Sequence, residues 1–183
     1  SFGLNKFPAR GGTSYVNEKQ MQVIATYSHE YGTTKDPKNG YVHYQFFGEP
    51  FYISLNADNT KVMAREGDPA DLRYNADLAV ESKVLSGNIL NNQLWFYDSV
   101  NSMIHLAANP GKCLHLPNSD ATNGKAVRAH DCNTSWGSQK WVTDGKMIRL
   151  KGNPNKCLVK KWDANSTGNP GLIWDCGAVS HTR

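Results

Sequence analysis

Short apolar runs alternate with polar, turn-forming stretches over most of this chain. Between residues 99 and 144 the alternation predicts four strands: Met103–Leu106, Lys112–Leu116, Ala126–Cys132 and Gln139–Thr143. Asn-Pro and Asn-Gly pairs punctuate the stretches between runs, as tight turns require. Further upstream, Ser1–Thr13, rich in Gly, Pro and basic residues, reads as an arm, Met21–Tyr27 as one more strand and Thr33–Gly40 as a polar loop. No apolar run reaches the roughly 18 residues needed to cross a membrane.

The four-strand pattern returns. At an offset of 44 residues, Met103-Ile-His-Leu106 falls on Met147-Ile-Arg-Leu150, and Asn109-Pro-Gly-Lys-Cys-Leu114 on Asn153-Pro-Asn-Lys-Cys-Leu158. Asp131-Cys132 falls on Asp175-Cys176 at the same offset. A weaker copy lies upstream, where Ile53–Met63 overlays Ile104–Leu114. There Val62 takes the place of Cys113, Ala79-Val80 matches Ala126-Val127, and Leu85 falls near the place of Cys132. An apolar pair is therefore expected in place of a disulfide. Gln93-Leu-Trp95 and Gln139-Lys-Trp141 mark the fourth strand of two copies. A fixed period of this size signals stacked supersecondary units. The expected fold is all-β: a β-trefoil of three ~44-residue repeats (51–98, 99–144 and 145–183) behind an N-terminal extension, 1–40. The two motif tryptophans are expected in its core.

The four cysteines pair naturally, Cys113 with Cys132 and Cys157 with Cys176, each 19 residues apart. No Cys-x-x-Cys is present, and neither a metal site nor any other cofactor is expected. One disulfide per repeat is the reading, each worth on the order of 3 kcal/mol by closing a loop of about 20 residues. Disulfides imply an oxidising compartment, so the protein is expected to be secreted. Ser1 opens the chain without Met or signal peptide, as a mature or trimmed product would. Asn133 and Asn165 head N-glycosylation sequons.

Cys-Leu, then Asp-Cys, then Gln-x-Trp resembles the ricin B-type (R-type) lectin repeat over residues 41–183. The resemblance implies shallow sugar sites. In that family an Asp two residues after the first Cys accepts bonds from sugar hydroxyls. An aromatic two residues before the second Cys stacks on the sugar, and Asn-Gln at the last motif completes the contacts. Here those positions hold His115, His130 and Ser138-Gln139 in the second copy. In the first copy they hold Ala64, approximately Lys83, and Asn92-Gln93; in the third, Val159 and Trp174. No copy keeps the carboxylate. The third copy's Gln-x-Trp would begin at residue 183, yet Tyr44-Gln45-Phe46-Phe47 stands at fourth-strand distance before Ile53. Residues 42–47 are therefore expected to close the barrel, permuting the trefoil by one strand.

Two candidate glycan sites follow. The first comprises Trp174, Trp162, Asp163 and Asn165 with Tyr44 and Gln45, where Asp163 takes over the carboxylate role. The alternative is that Trp162 and Trp174 only pack on each other or on the arm. The second comprises His115, Asn118, Asp120, Asn123 and His130. A net charge of +4 with interspersed signs argues against nucleic acid as a partner. No zinc-protease, phosphate-loop or nucleophile-elbow motif is present, so no enzyme is expected. The expected function is a secreted lectin-like protein attaching to cell-surface glycans. The alternative is a targeting or protein-interaction subunit, resembling in type the lectin-like subunits of cytolethal distending toxins, with partners held through residues 1–40.

Overall fold

The computed structural model describes residues 50–55, 58–143, 146–161 and 166–177, and the backbone of 4–9 and 12–17. The chain divides into two compact units, Ser1–Glu49 and Pro50–Arg183. In the first, β1 (Leu4–Ala9) pairs antiparallel with β2 (Gly12–Asn17), with Ala9 opposite Gly12. A stretch read as an arm over residues 1–13 is thus part of a hairpin. Met21–Tyr27, Thr33–Gly40 and the expected closing strand 42–47 lie outside the described residues.

The second unit is all strand and turn. Its strands are β3 (Phe51–Leu55), β4 (Asp58–Arg65), β5 (Ala76–Ser82), β6 (Leu94–Asp98) and β7 (Met103–Leu106). They continue with β8 (Asn109–His115), β9 (Arg128–Asp131), β10 (Trp141–Thr143), β11 (Ile148–Leu150), β12 (Asn153–Lys160) and β13 (Gly171–Asp175). Strands β3-β4-β5-β9-β8-β7-β6 close into a barrel, and β10-β11-β12-β13 form a four-stranded sheet. No α-helix occurs among the described residues.

Equivalent strands share local detail. The hairpins β3–β4, β7–β8 and β11–β12 each break register one residue before the turn, at Ser54/Leu55, His105/Leu106 and Arg149/Leu150. Such bulges twist a strand locally. Leu78 N–H donates to Val127 O (3.3 Å), and Val127 N–H to Gly171 O (2.9 Å), bringing three third-strand starts together. A Cβ on Gly171 would lie 2.9 Å from Met63 Sδ and 3.0 Å from Leu78 Cβ, so a larger residue there would have to displace the Met63 side chain.

Trp95 and Trp141 are fully buried beside Met63, Leu78, Ile104, Leu114, Val127 and Ile173. Each indole N–H is satisfied by a backbone carbonyl, Met63 O for Trp95 (3.3 Å) and Leu114 O for Trp141 (2.9 Å). A buried donor needs such a partner. The preceding glutamines are also fully buried. Gln93 donates to Ser82 O (2.8 Å) and accepts from Val84 N–H (2.9 Å). Gln139 repeats this with Asp131 O (2.8 Å) and Asn133 N–H (2.7 Å). The motif glutamine thus holds the backbone that leaves the third strand. Both disulfides form, Cys113–Cys132 and Cys157–Cys176, with Cα–Cα distances of 5.1 Å.

Trp141→Ala should destabilise the fold by about 3–5 kcal/mol, through lost burial and the cavity left behind. Equilibrium denaturation in urea, followed by intrinsic fluorescence, measures it.

Candidate functional site

Strand register assembles the second copy's surface. Cys113 faces His130 and His115 faces Arg128 across β8 and β9. Alternation along each strand puts His115, Arg128 and His130 on one face. The His115 and His130 rings lie 4.8 Å apart. Trp136, in the turn after Cys132, approaches both, at 5.5 Å from His115 and 5.6 Å from His130. Ser138 Oγ lies 3.4 Å from His115 Nδ1. His115 is the floor at 7% exposure, while Trp136 is 40% exposed and offers an open ring. Burial first, then His130 and Arg128, pull the His115 pKa down to about 4, so the ring is neutral at physiological pH.

Trp136 escaped the sequence reading. It matches nothing 44 residues away, and that mismatch in an otherwise polar turn was the available signal.

The other residues expected here are engaged elsewhere. Asn118 and Ser119 adopt left-handed conformations (φ 57° and 55°) in the Pro117–Ser119 turn. Asp120 accepts from Thr122 N–H (3.0 Å) and pairs with Lys125 Nζ (3.0 Å). Bonds from the Thr122 side chain and then Lys125 hold its carboxyl down to about 2. Asn123 reaches into the third copy. It donates to Asp175 Oδ2 (2.7 Å) and accepts from Lys156 Nζ (2.8 Å) and Asp175 N–H (3.1 Å). Lys156 and Asp175 are themselves an ion pair at 2.8 Å. The arrangement has a twin: Asn75 accepts from Lys112 Nζ (3.0 Å) and Asp131 N–H (3.2 Å), beside the Lys112–Asp131 pair at 2.6 Å. Asn75 and Asn123 therefore tie one copy to the next.

In the third copy Trp174 faces Cys157, the place His130 holds in the second. It is half-buried, packed with Cys157, Val159 and Leu172, and its ring lies 3.4 Å from where a Cβ on Gly124 would stand. Trp162, Asp163, Asn165, Tyr44 and Gln45 lie outside the described residues.

The first copy needs a correction. Met63 faces Val80 as Leu114 faces Ala129, so the match of Ala79-Val80 to Ala126-Val127 was two residues out of register. A slip of two keeps every side chain on its face, and the hydrophobic pattern cannot expose it. Lys83, whose N–H bonds Thr60 O as that of Cys132 bonds Gly111 O, holds the second cysteine position. Its ammonium sits 4.3 Å over the Tyr52 ring. Leu85 is 80% exposed and forms no apolar pair with Val62. Glu81, facing Val62, holds the stacking position. Asn92 is buried and consumed internally, donating to Gly67 O (2.8 Å) and accepting from the buried Arg65 guanidinium (3.4 Å). The polar contacts expected of that copy are therefore closed off.

His105, Cys113 and Cys132 come close enough to suggest a metal triad, but both sulfurs are committed to the disulfide. His105 Nδ1 donates to Pro110 O at 2.7 Å, and Nε2 lies 3.7 Å from Asp98 Oδ2. Burial lowers its pKa. No helix among the described residues is long and apolar enough to cross a membrane.

Residues 101–183 match the family model of the ricin-type beta-trefoil lectin domain. Among solved structures, the chain is similar to the C-half of an earthworm R-type lectin in complex with GalNAc, with 15% identity and TM-score 0.61, covering 74% of this chain and 95% of that one. The Vibrio vulnificus hemolysin/cytolysin β-trefoil lectin with N-acetyl-D-lactosamine bound gives 16% identity and TM-score 0.52, over 73% of this chain and 90% of that one. An agglutinin from Abrus precatorius gives 15% identity and TM-score 0.56, over 79% of this chain and 49% of that one. No curated protein matches the sequence. The likeness to R-type lectins read from the repeats holds, and at these identities it shows the fold.

A histidine buried neutral binds its proton more tightly in the unfolded chain, so acid favours unfolding. Stability should fall between about pH 6.5 and 4 as the unfolded chain takes up protons that His115 and His105 refuse. His115→Phe should flatten part of that fall. Thermal melts at pH 4, 5, 6 and 7 check both.

Proposed function

We propose that this chain is a secreted, non-catalytic carbohydrate-binding module that attaches to glycans through aromatic ledges on a degenerate R-type lectin trefoil. The observation that carries the reading is the open Trp136 ring beside His130, at the position where a sugar face would stack. Flat C–H faces of a pyranose suit such rings, and Ser138 and His115 add polar contacts beneath them. Trp174 occupies the corresponding strand position in the third copy and is the second ledge, with Trp162, Asp163, Asn165, Tyr44 and Gln45 as its proposed surroundings.

The proposed architecture is three copies permuted by one strand. Residues 42–47 supply the fourth strand of the third copy, because Gln45 precedes Ile53 by 8 residues where Gln139 precedes Ile148 by 9. Residues 1–40 form the extension. The two disulfides support secretion. A module with one or two shallow sites binds weakly alone, so avidity would come from several copies or a larger complex. A second reading, a targeting subunit that holds a partner, is favoured by the separate N-terminal unit and by the closed first copy.

A glycan array of the oxidised, multivalently displayed protein tests this. Binding to a defined glycan should fall at least about tenfold in Trp136→Ala, the loss of one stacking contact worth roughly 1.4 kcal/mol. Silence across the array from folded protein would sink the lectin reading and leave partner capture.

A further inference from the structure

The second copy's ledge lacks the carboxylate of a family sugar site and carries a guanidinium at its rim. His115 stands where the family's carboxylate would. Its Nδ1 lies 3.4 Å from Ser138 Oγ, and a neutral imidazole offers one donor and one acceptor. Arg128 faces His115 on the same side of the sheet, and its charge is felt at that ring. Its guanidinium is half-exposed and carries five N–H donors, of which Asp77 Oδ1 takes Nε at 2.5 Å.

The nearby carboxylates are already spent on cations. Asp77 holds Arg128, Asp131 holds Lys112 at 2.6 Å, and Asp120 holds Lys125 at 3.0 Å. A sugar hydroxyl can both donate and accept, and a free carboxylate is a strong acceptor for it. A carboxylate or sulfate only accepts, and two-toothed binding to a guanidinium is its strongest form. The titratable and charged groups that share the ledge or its rim are His115, His130, Arg128 and Asp77, so its chemistry is set by one cation, one anion and two imidazoles.

We propose that this ledge takes an acidic saccharide, one carrying a carboxylate or a sulfate. The sugar ring lies against Trp136 and His130, and the anion points to His115 and Arg128, competing with Asp77 for the guanidinium. The inference rests on the glycan-binding reading of the same site. Net charge +4 brings such ligands closer at low ionic strength.

The test uses the whole oxidised chain and matched glycans: one lactosamine backbone presented bare, with terminal sialic acid, and with sulfate. Affinities are measured by calorimetry or biolayer interferometry at low and high salt. The acidic forms should bind about tenfold or more tighter than the bare one, and high salt should erode that advantage. Which acidic form wins identifies the anion.

Arg128→Gln should erase the preference, and Arg128→Lys should keep part of it. Because Arg128→Gln also breaks the pair with Asp77, a gain-of-function variant guards against misfolding as the cause. Asp77→Asn frees the guanidinium and should raise the preference for acidic over bare glycans several-fold. Equal binding of bare and acidic glycans through Trp136 would overturn the proposal and leave the lectin reading intact. So would an acid preference that survives in Arg128→Gln and Trp136→Ala but vanishes in Trp174→Ala. Binding of no glycan at all would overturn both.

Discussion

The second unit depends on a carboxamide. Where the third strand of a copy ends, its backbone leaves a carbonyl and an N–H that no strand partner satisfies, beside a fully buried glutamine. Gln93 and Gln139 satisfy one of each from the same side chain. Two residues later, Trp95 and Trp141 fill the barrel centre and donate to a second-strand carbonyl. Glutamine and tryptophan thus join strands two, three and four of a copy in one packed, fully bonded unit. A fully buried carboxamide left without partners costs about 1–3 kcal/mol, and these two bonds satisfy it.

That role also shows how far the sequence could be read. The 44-residue offset was visible because the Met-Ile-x-Leu run, the Asn-Pro turn and the cysteines fall at fixed places, and strand pairing depends on those places. The second copy's strands lie within a few residues of their expected positions. The glutamine itself was read as part of a sugar site, because a motif reveals spacing and not which way a side chain faces. The first copy's register slipped by two, the one error that alternation hides. Asn75 and Asn123 could not be read as ties between copies, since their partners lie 37 to 56 residues and 33 to 52 residues away respectively. The hairpin at the N-terminus was missed because Pro8 and the nearby glycines suggested a flexible arm.

The three copies divide labour through the same few positions. The residue facing the first cysteine position is Glu81, His130 or Trp174. The one two residues beyond that cysteine position is Ala64, His115 or Val159, all buried. In the first copy Arg65 and Asn92 knit the loop shut. In the third, Trp174 leans on Gly124 of its neighbour. In the second, two imidazoles and an extra tryptophan leave a ring open at the surface. The barrel core itself, Trp95 and Trp141 with Met63, Leu78, Ile104, Leu114, Val127 and Ile173, is built from other positions.

The asparagine ties carry a consequence for how the molecule comes apart. Lys112 is almost fully buried, and its charge is met partly by its own copy through Asp131 and partly by the copy before it through Asn75. Lys156 depends in the same way on Asn123. A solenoid can fray repeat by repeat from its ends. Here a nick or insertion in the loop around residues 120–125 would strip a partner from a lysine 33 residues further on. Damage to one copy is therefore felt in the next.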